Sequence, residues 1–188
     1  VWATEEAASH FAEGLALLPS LTDHAQTREL ELGLLVARGT ALMAIRGYAS
    51  PEAEAVYARA EALSREFADP SRLAPALYGL GAYYAASAQP RKACEFGRRL
   101  VEVAELQGDQ DMFIEAHVIL AIAEYLRGNP HEAEMSAEQA LARWEPVKYR
   151  DHIFAYGQEP GIVAMTMMSR ARGWLGRVDE ALTFSDGA

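Results

Sequence analysis

Apolar residues recur at steps of three and four along most of this chain, as in LYGLGAYY at 77–84 and VILAIAEYL at 118–126. That spacing lines stripes on a helix and does not alternate as a strand would, so the pattern predicts helices throughout. Long helices are expected over His24 to Arg46, Ser71 to Ser87, Asp111 to Arg127 and about Gly161 to Leu175. Gly47, Gly128 and Gly176 follow the last turns of three of them, where a left-handed residue closes a helix without a Cβ clash.

Between these run shorter helices with a row of small residues. SPEAEAVYARAEAL carries Ala53, Tyr57 and Ala60, QPRKACEFGRRLVEVA carries Ala93, Gly97 and Leu100, and NPHEAEMSAEQALARW carries Ala133, Ala137 and Ala140. Ala53, Ala93 and Ala133 are 40 residues apart, twice over (93 − 53 and 133 − 93). Each follows a proline, Pro51, Pro90 or Pro130, which suits a first helical turn because the missing N–H has no helical partner there. GRVDEALTF repeats the pattern at Ala181, and TEEAASHFAEG repeats part of it at Ala7, Phe11 and Gly14. The repeating unit is helix, turn, helix. Units are expected over about 1–20 (partial), 24–67, 71–107, 111–145 and 160–188 (partial), with a loop inserted at 145–159. One helix pair cannot bury both its faces, so stacked neighbours complete each other's core. Small residues where helices cross let the axes approach to about 8 to 9 Å. The expected fold is all-α, a right-handed superhelical array of antiparallel helix pairs.

Composition narrows the function. With 17 basic and 27 acidic residues the net charge is -10, which repels phosphate backbones and excludes nucleic acid as a partner class. No apolar run reaches the roughly 20 residues a membrane span needs. The start, VWATEEAASH, lacks the basic flank and apolar core of a signal peptide. A single cysteine, Cys94, permits no internal disulfide and fits a reducing cytoplasmic setting. On a packing helix it reads as a small buried hydrophobe, with no basic group placed by sequence to lower its pKa. None of the five histidines has a second His or a Cys at ligand spacing, so no metal and no cofactor are expected. GLGAYY lacks the third glycine and preceding strand of a dinucleotide fold, and no phosphate-binding loop is present. The acidic stretches EEAASHFAE and EAEMSAEQA read as solvated helix faces. No catalytic constellation emerges, and the segment reads as a non-enzyme.

Leu80, Gly81 and Tyr84, with Ala93 thirteen residues after Leu80, resemble the tetratricopeptide signature. The next unit keeps Leu120 and Ala121 but has Glu124 in place of the aromatic. HEAT-type repeats also run to about 40 residues, so the period leaves both families open, and the alanine signature favours the first. Over nearly the whole chain, LELGLLVARGTALMAIRGYASPEAEAVYARA and HIFAYGQEPGIVAM are similar to the C-terminal helical repeats of large bacterial signal-transduction ATPases. Many of those carry a class III adenylate or guanylate cyclase domain in front. The resemblance implies that the chain is a fragment of such a regulator, with catalysis residing elsewhere.

The tetratricopeptide resemblance also implies a concave groove lined by Arg38, Leu42 and Arg46, Tyr78 and Ala82, Val118, Ile122 and Tyr125, then Thr166, Arg170 and Trp174. Arginines and aromatics there would suit a protein or peptide partner. Within HIFAYGQEPG, His152, Phe154 and Tyr156 can pack, Gly157 permits a tight turn, and Pro160 and Gly161 can open a helix. This loop either plugs the groove or caps a repeat junction, or it covers a small-molecule ligand in the groove. Incomplete terminal repeats point to self-association.

Overall fold

The computed structural model describes residues 2–21, 23–67, 69–145 and 159–185. Within them lie nine α-helices and no strand. They are α1 (Trp2–Leu17), α2 (His24–Arg46), α3 (Pro51–Ser64), α4 (Ala74–Ala86), α5 (Pro90–Gln107), α6 (Gln110–Leu126), α7 (Pro130–Arg143), α8 (Pro160–Trp174) and α9 (Val178–Ser185). No helix among the described residues is long and apolar enough to cross a membrane.

Local chemistry sets the boundaries. Ser50 caps α3 by accepting from the Ala53 N–H, ahead of Pro51 in the first turn. Asp109 does the same for α6 by accepting from Asp111 and Met112. Gly47, Gly128 and Gly176 have φ of 82°, 81° and 80°, the left-handed geometry that ends α2, α6 and α8. The helix expected from Ser71 begins three residues later, after a 3-10 turn over Pro70–Leu73. Pro75 is the reason. In a helix starting at Ser71 it would lose its bond to that residue, whereas in one starting at Ala74 it falls in the permissive first turn.

Each helix packs on the next along the chain. In addition α2 touches α4, α4 touches α6, and α6 touches α8. The backbones of α3, α5 and α7 do not approach one another in this way. The first helices of the units (α2, α4, α6, α8) thus form a continuous layer, and the second helices (α3, α5, α7, α9) stand apart from each other behind it.

The alanine row occupies the crossings. Ala53, Ala60, Ala93, Ala133, Ala137 and Ala140 are fully buried. Where the row has a large residue, its neighbours are reduced to match. Tyr57 is wedged between Gly39 of α2 and Gly79 of α4, where an added Cβ would lie 2.6 Å and 2.5 Å from the ring. Its hydroxyl pairs with Thr40 at 3.1 Å, and burial pushes its pKa up to about 12. Conversely Gly97 admits Leu120 of the following first helix.

A second row repeats one residue after the alanines. Glu54 accepts a hydrogen bond from the Tyr84 hydroxyl at 2.7 Å, the Cys94 thiol donates to Glu124 at 3.3 Å, and Arg172 donates to Glu134 at 2.7 Å. Each contact ties a second helix to the first helix of the next unit at the same register. This resolves the place of Glu124. It stands where the preceding unit has Tyr84, and its carboxylate is held by Arg127 and Arg98 at 3.0 Å and by Asn129 at 2.8 Å. Glu134 is a correction to the solvated reading of EAEMSAEQA: it is buried, bonded to Arg172 and Arg177, while Glu132 and Glu138 are exposed.

Candidate functional site

The first-helix layer carries the residues that the groove reading selected, at unequal depth. Leu42, Tyr78 and Val118 are buried, so their side chains build the layer rather than meet solvent. Ala82, Ile122, Tyr125 and Thr166 are half-buried, and Thr166 returns its hydroxyl to the Ile162 carbonyl at 2.8 Å. Arg46 and Arg170 are exposed, and Arg38 is half-buried.

The arginines differ in their partners. Arg28 pairs with Glu66 at 3.2 Å, Arg46 with Glu52 at 3.8 Å and Arg172 with Glu134 at 2.7 Å. Arg38 and Arg170 have no acidic partner among the described residues, and the Arg38 Nε is buried with no acceptor. A buried donor left open forgoes about 1 to 3 kcal/mol until an acceptor arrives.

Under this layer lies a polar cluster that sequence reading did not anticipate. The Tyr48 and Tyr78 hydroxyls are hydrogen-bonded to each other, and the Glu115 carboxylate acts on both. Burial first, and that charge second, raise the Tyr78 pKa well above the phenol range, so it stays protonated. Glu115 is fully buried although it follows the periodicity of a helix side chain. The cluster joins residues 48, 78 and 115, a separation no local pattern reveals. Burial, with Arg143 adding to it, lowers the His117 pKa to about 4, so its ring is neutral at pH 7.

Two aromatic features flank the layer. Trp174 is 56% exposed and meets Tyr125 edge to face, with ring centroids 5.2 Å apart. Trp144 is fixed by the start of α8: its indole N–H donates to the Glu159 carboxylate at 2.7 Å, and the other oxygen of Glu159 accepts the Ile162 N–H at 2.8 Å. Gly161 is required because a Cβ there would fall inside the Trp144 ring. The Glu-Pro-Gly that ends HIFAYGQEPG is therefore a helix cap, a first-turn proline and a seat for an indole. Replacing Gly161 by alanine is expected to destabilise the fold by about 2 kcal/mol through overpacking, with a red-shifted Trp144 emission as the ring is displaced. Unchanged melting and emission would show that Trp144 sits elsewhere. His152, Phe154, Tyr156 and Gly157 lie outside the described residues.

Cys94 is buried, and the Arg127 guanidinium lies 3.8 Å from its sulfur, a basic neighbour that its sequence context did not reveal. Burial outweighs that charge and the thiol pKa is raised, which leaves it a poor nucleophile. Among the described residues no group of three His, Cys, Asp or Glu side chains is placed to hold a metal ion. Clefts among the described residues border α2. One of about 360 Å³ is bordered by Leu32, Val36, Arg72 and Pro75, and one of about 450 Å³ by Leu15, Leu18, Leu35 and Arg59. Comparison with known protein families and with curated proteins returns no match for this chain.

Proposed function

We propose that the chain is a non-catalytic helical-repeat module of the tetratricopeptide kind that holds a protein or peptide partner on its first-helix face. It serves partner contact or signal sensing within a larger regulator resembling the signal-transduction ATPases and cyclases. The contacts among α2, α4, α6 and α8, against the wider spacing of the second helices, support a superhelix whose concave side is the first-helix layer.

One observation carries the functional reading. In a chain with ten more acidic than basic residues (27 − 17), the first-helix arginines left without a carboxylate among the described residues are Arg38 and Arg170. Both stand at positions that the resemblance assigns to the groove. Guanidinium groups with no carboxylate among the described residues of an acidic molecule are poised for an acidic group supplied from outside, which they bind with forked hydrogen bonds. Charge reversal at both sites tests this. On a peptide array, Arg38→Glu and Arg170→Glu are each expected to weaken capture of acidic peptides about tenfold, equivalent to about 1.4 kcal/mol, with the helical circular dichroism retained. Equal capture by wild type and both variants would remove the reading.

A further inference from the structure

From the surroundings of Trp174 we infer that the end of the first-helix layer is a docking ledge for an extended, proline-containing acidic segment of a partner protein. The inference rests on the groove reading and specifies what one part of that groove takes.

The ledge is built from α6 and α8. Trp174 ends α8, and its indole lies against the Tyr125 ring and over the turn at Gly128, where an added Cβ would be 3.9 Å from the ring. The indole is therefore held in place although more than half of it is exposed, which lowers the entropy lost on binding. The Trp174 indole N–H has no acceptor among the described residues. One helical turn earlier stands Arg170, exposed and without an acidic partner among those residues.

This set has a matching ligand chemistry. A flat aromatic shelf without a deep pocket suits the face of a pyrrolidine ring, and a polyproline helix has no internal hydrogen bonds, so its carbonyls are free to accept the indole N–H. Arg170 accepts a carboxylate in forked geometry. Residues four apart on a helix have Cβ atoms about 6 Å apart. A polyproline helix has about three residues per turn and rises about 3.1 Å per residue, so a proline and an acid on the same face are three residues apart, about 9 Å, a span that the long Arg170 side chain covers. The net charge of -10 repels acidic segments elsewhere on the molecule, which makes this contact selective for position.

Fluorescein-labelled decapeptides with Pro-x-x-Glu and Glu-x-x-Pro in a polyproline context, titrated into the 188-residue chain and read by polarisation, test the ledge. At least one order should bind. Trp174→Ala should weaken it about 30-fold, and Trp174→Phe, which keeps the ring contact and removes the N–H, about 5-fold. Arg170→Gln should weaken it about tenfold, but less than about twofold when the peptide's Glu is replaced by Gln, since the coupling is then already broken. Failure of both peptides to bind, or affinity unaffected by Trp174→Ala, overturns the ledge. A random peptide library panned on the same chain separates the two ideas. Selected peptides that lose affinity on Arg38→Glu but not on Trp174→Ala would leave the groove standing without the ledge. A library that gives no binder would remove both.

Discussion

Replacing Tyr57 by alanine is expected to lower the unfolding free energy by about 4 kcal/mol, in the range of aromatic truncations in cores. Tyr57 is 2% exposed and spans the seam between the first two full units, touching Gly39 on its own first helix and Gly79 on the next. Its loss removes ring contacts on both sides and leaves Thr40 without its 3.1 Å partner. The two glycines supply a control. Gly79→Ala alone places a methyl group 2.5 Å from the ring and should destabilise by about 2 kcal/mol. In the Tyr57→Ala background the same methyl group enters vacated space, so the second substitution should become neutral or stabilising. That sign change, measured by urea unfolding, is the signature of direct stacking. Additive losses would mean that the ring does not sit between the two helices.

The second large effect belongs to Glu124. Its carboxylate is almost fully buried, between Arg127 and Arg98, with Asn129 and the Cys94 thiol also donating to it. Burial pushes its pKa up, but hydrogen bonds from Asn129 and Cys94 and the two guanidinium charges outweigh this and hold it below the usual carboxylate range. Glu124→Gln keeps the volume and removes the charge. A broken buried pair costs about 3 to 5 kcal/mol, and because Arg98 and Arg127 reach solvent the expected loss is about 2 kcal/mol. The sign of the pH dependence follows from the depressed folded pKa. The stabilisation is complete above the unfolded glutamate pKa of about 4.3 and is lost as pH falls through the lower folded value. The gap between wild type and Glu124→Gln should therefore be constant near pH 7 and close below about pH 4.3. A gap that stays open in acid would show that the charge contributes nothing.

Both effects depend on how the units join, and sequence disclosed that unevenly. Pro51, Pro90 and Pro130 begin their helices because a proline fits only the first turn, and the left-handed glycines close others, both local facts readable from one residue. Burial of Ala53, Ala93 and Ala133 followed from their spacing, since residues at the same register meet the same neighbour. Glu124 and Arg172 were not legible. Each replaces the aromatic Tyr84 with a charge, and a counter-charge that makes it tolerable lies 26 or 38 residues away, at Arg98 and Glu134. Pairing at that distance carries no periodic signal. Pro75 shortened a helix that apolar spacing alone had begun at Ser71. At the candidate site, positions transferred from the resemblance selected Arg38 and Arg170, yet their lack of acidic partners among the described residues became visible only in three dimensions. Leu42 and Val118 were selected by the same rule and are buried, because position on a helix fixes direction but not what covers the side chain.

The measurement closest to the central claim is backbone amide shift mapping of the ¹⁵N-labelled chain during titration with a peptide selected for binding. The perturbed amides are expected on α2, α4, α6 and α8, around Arg38, Ala82, Ile122, Arg170 and Trp174. Shifts concentrated instead on the outer faces of α3, α5 and α7, around Arg91 and Met135, would contradict it.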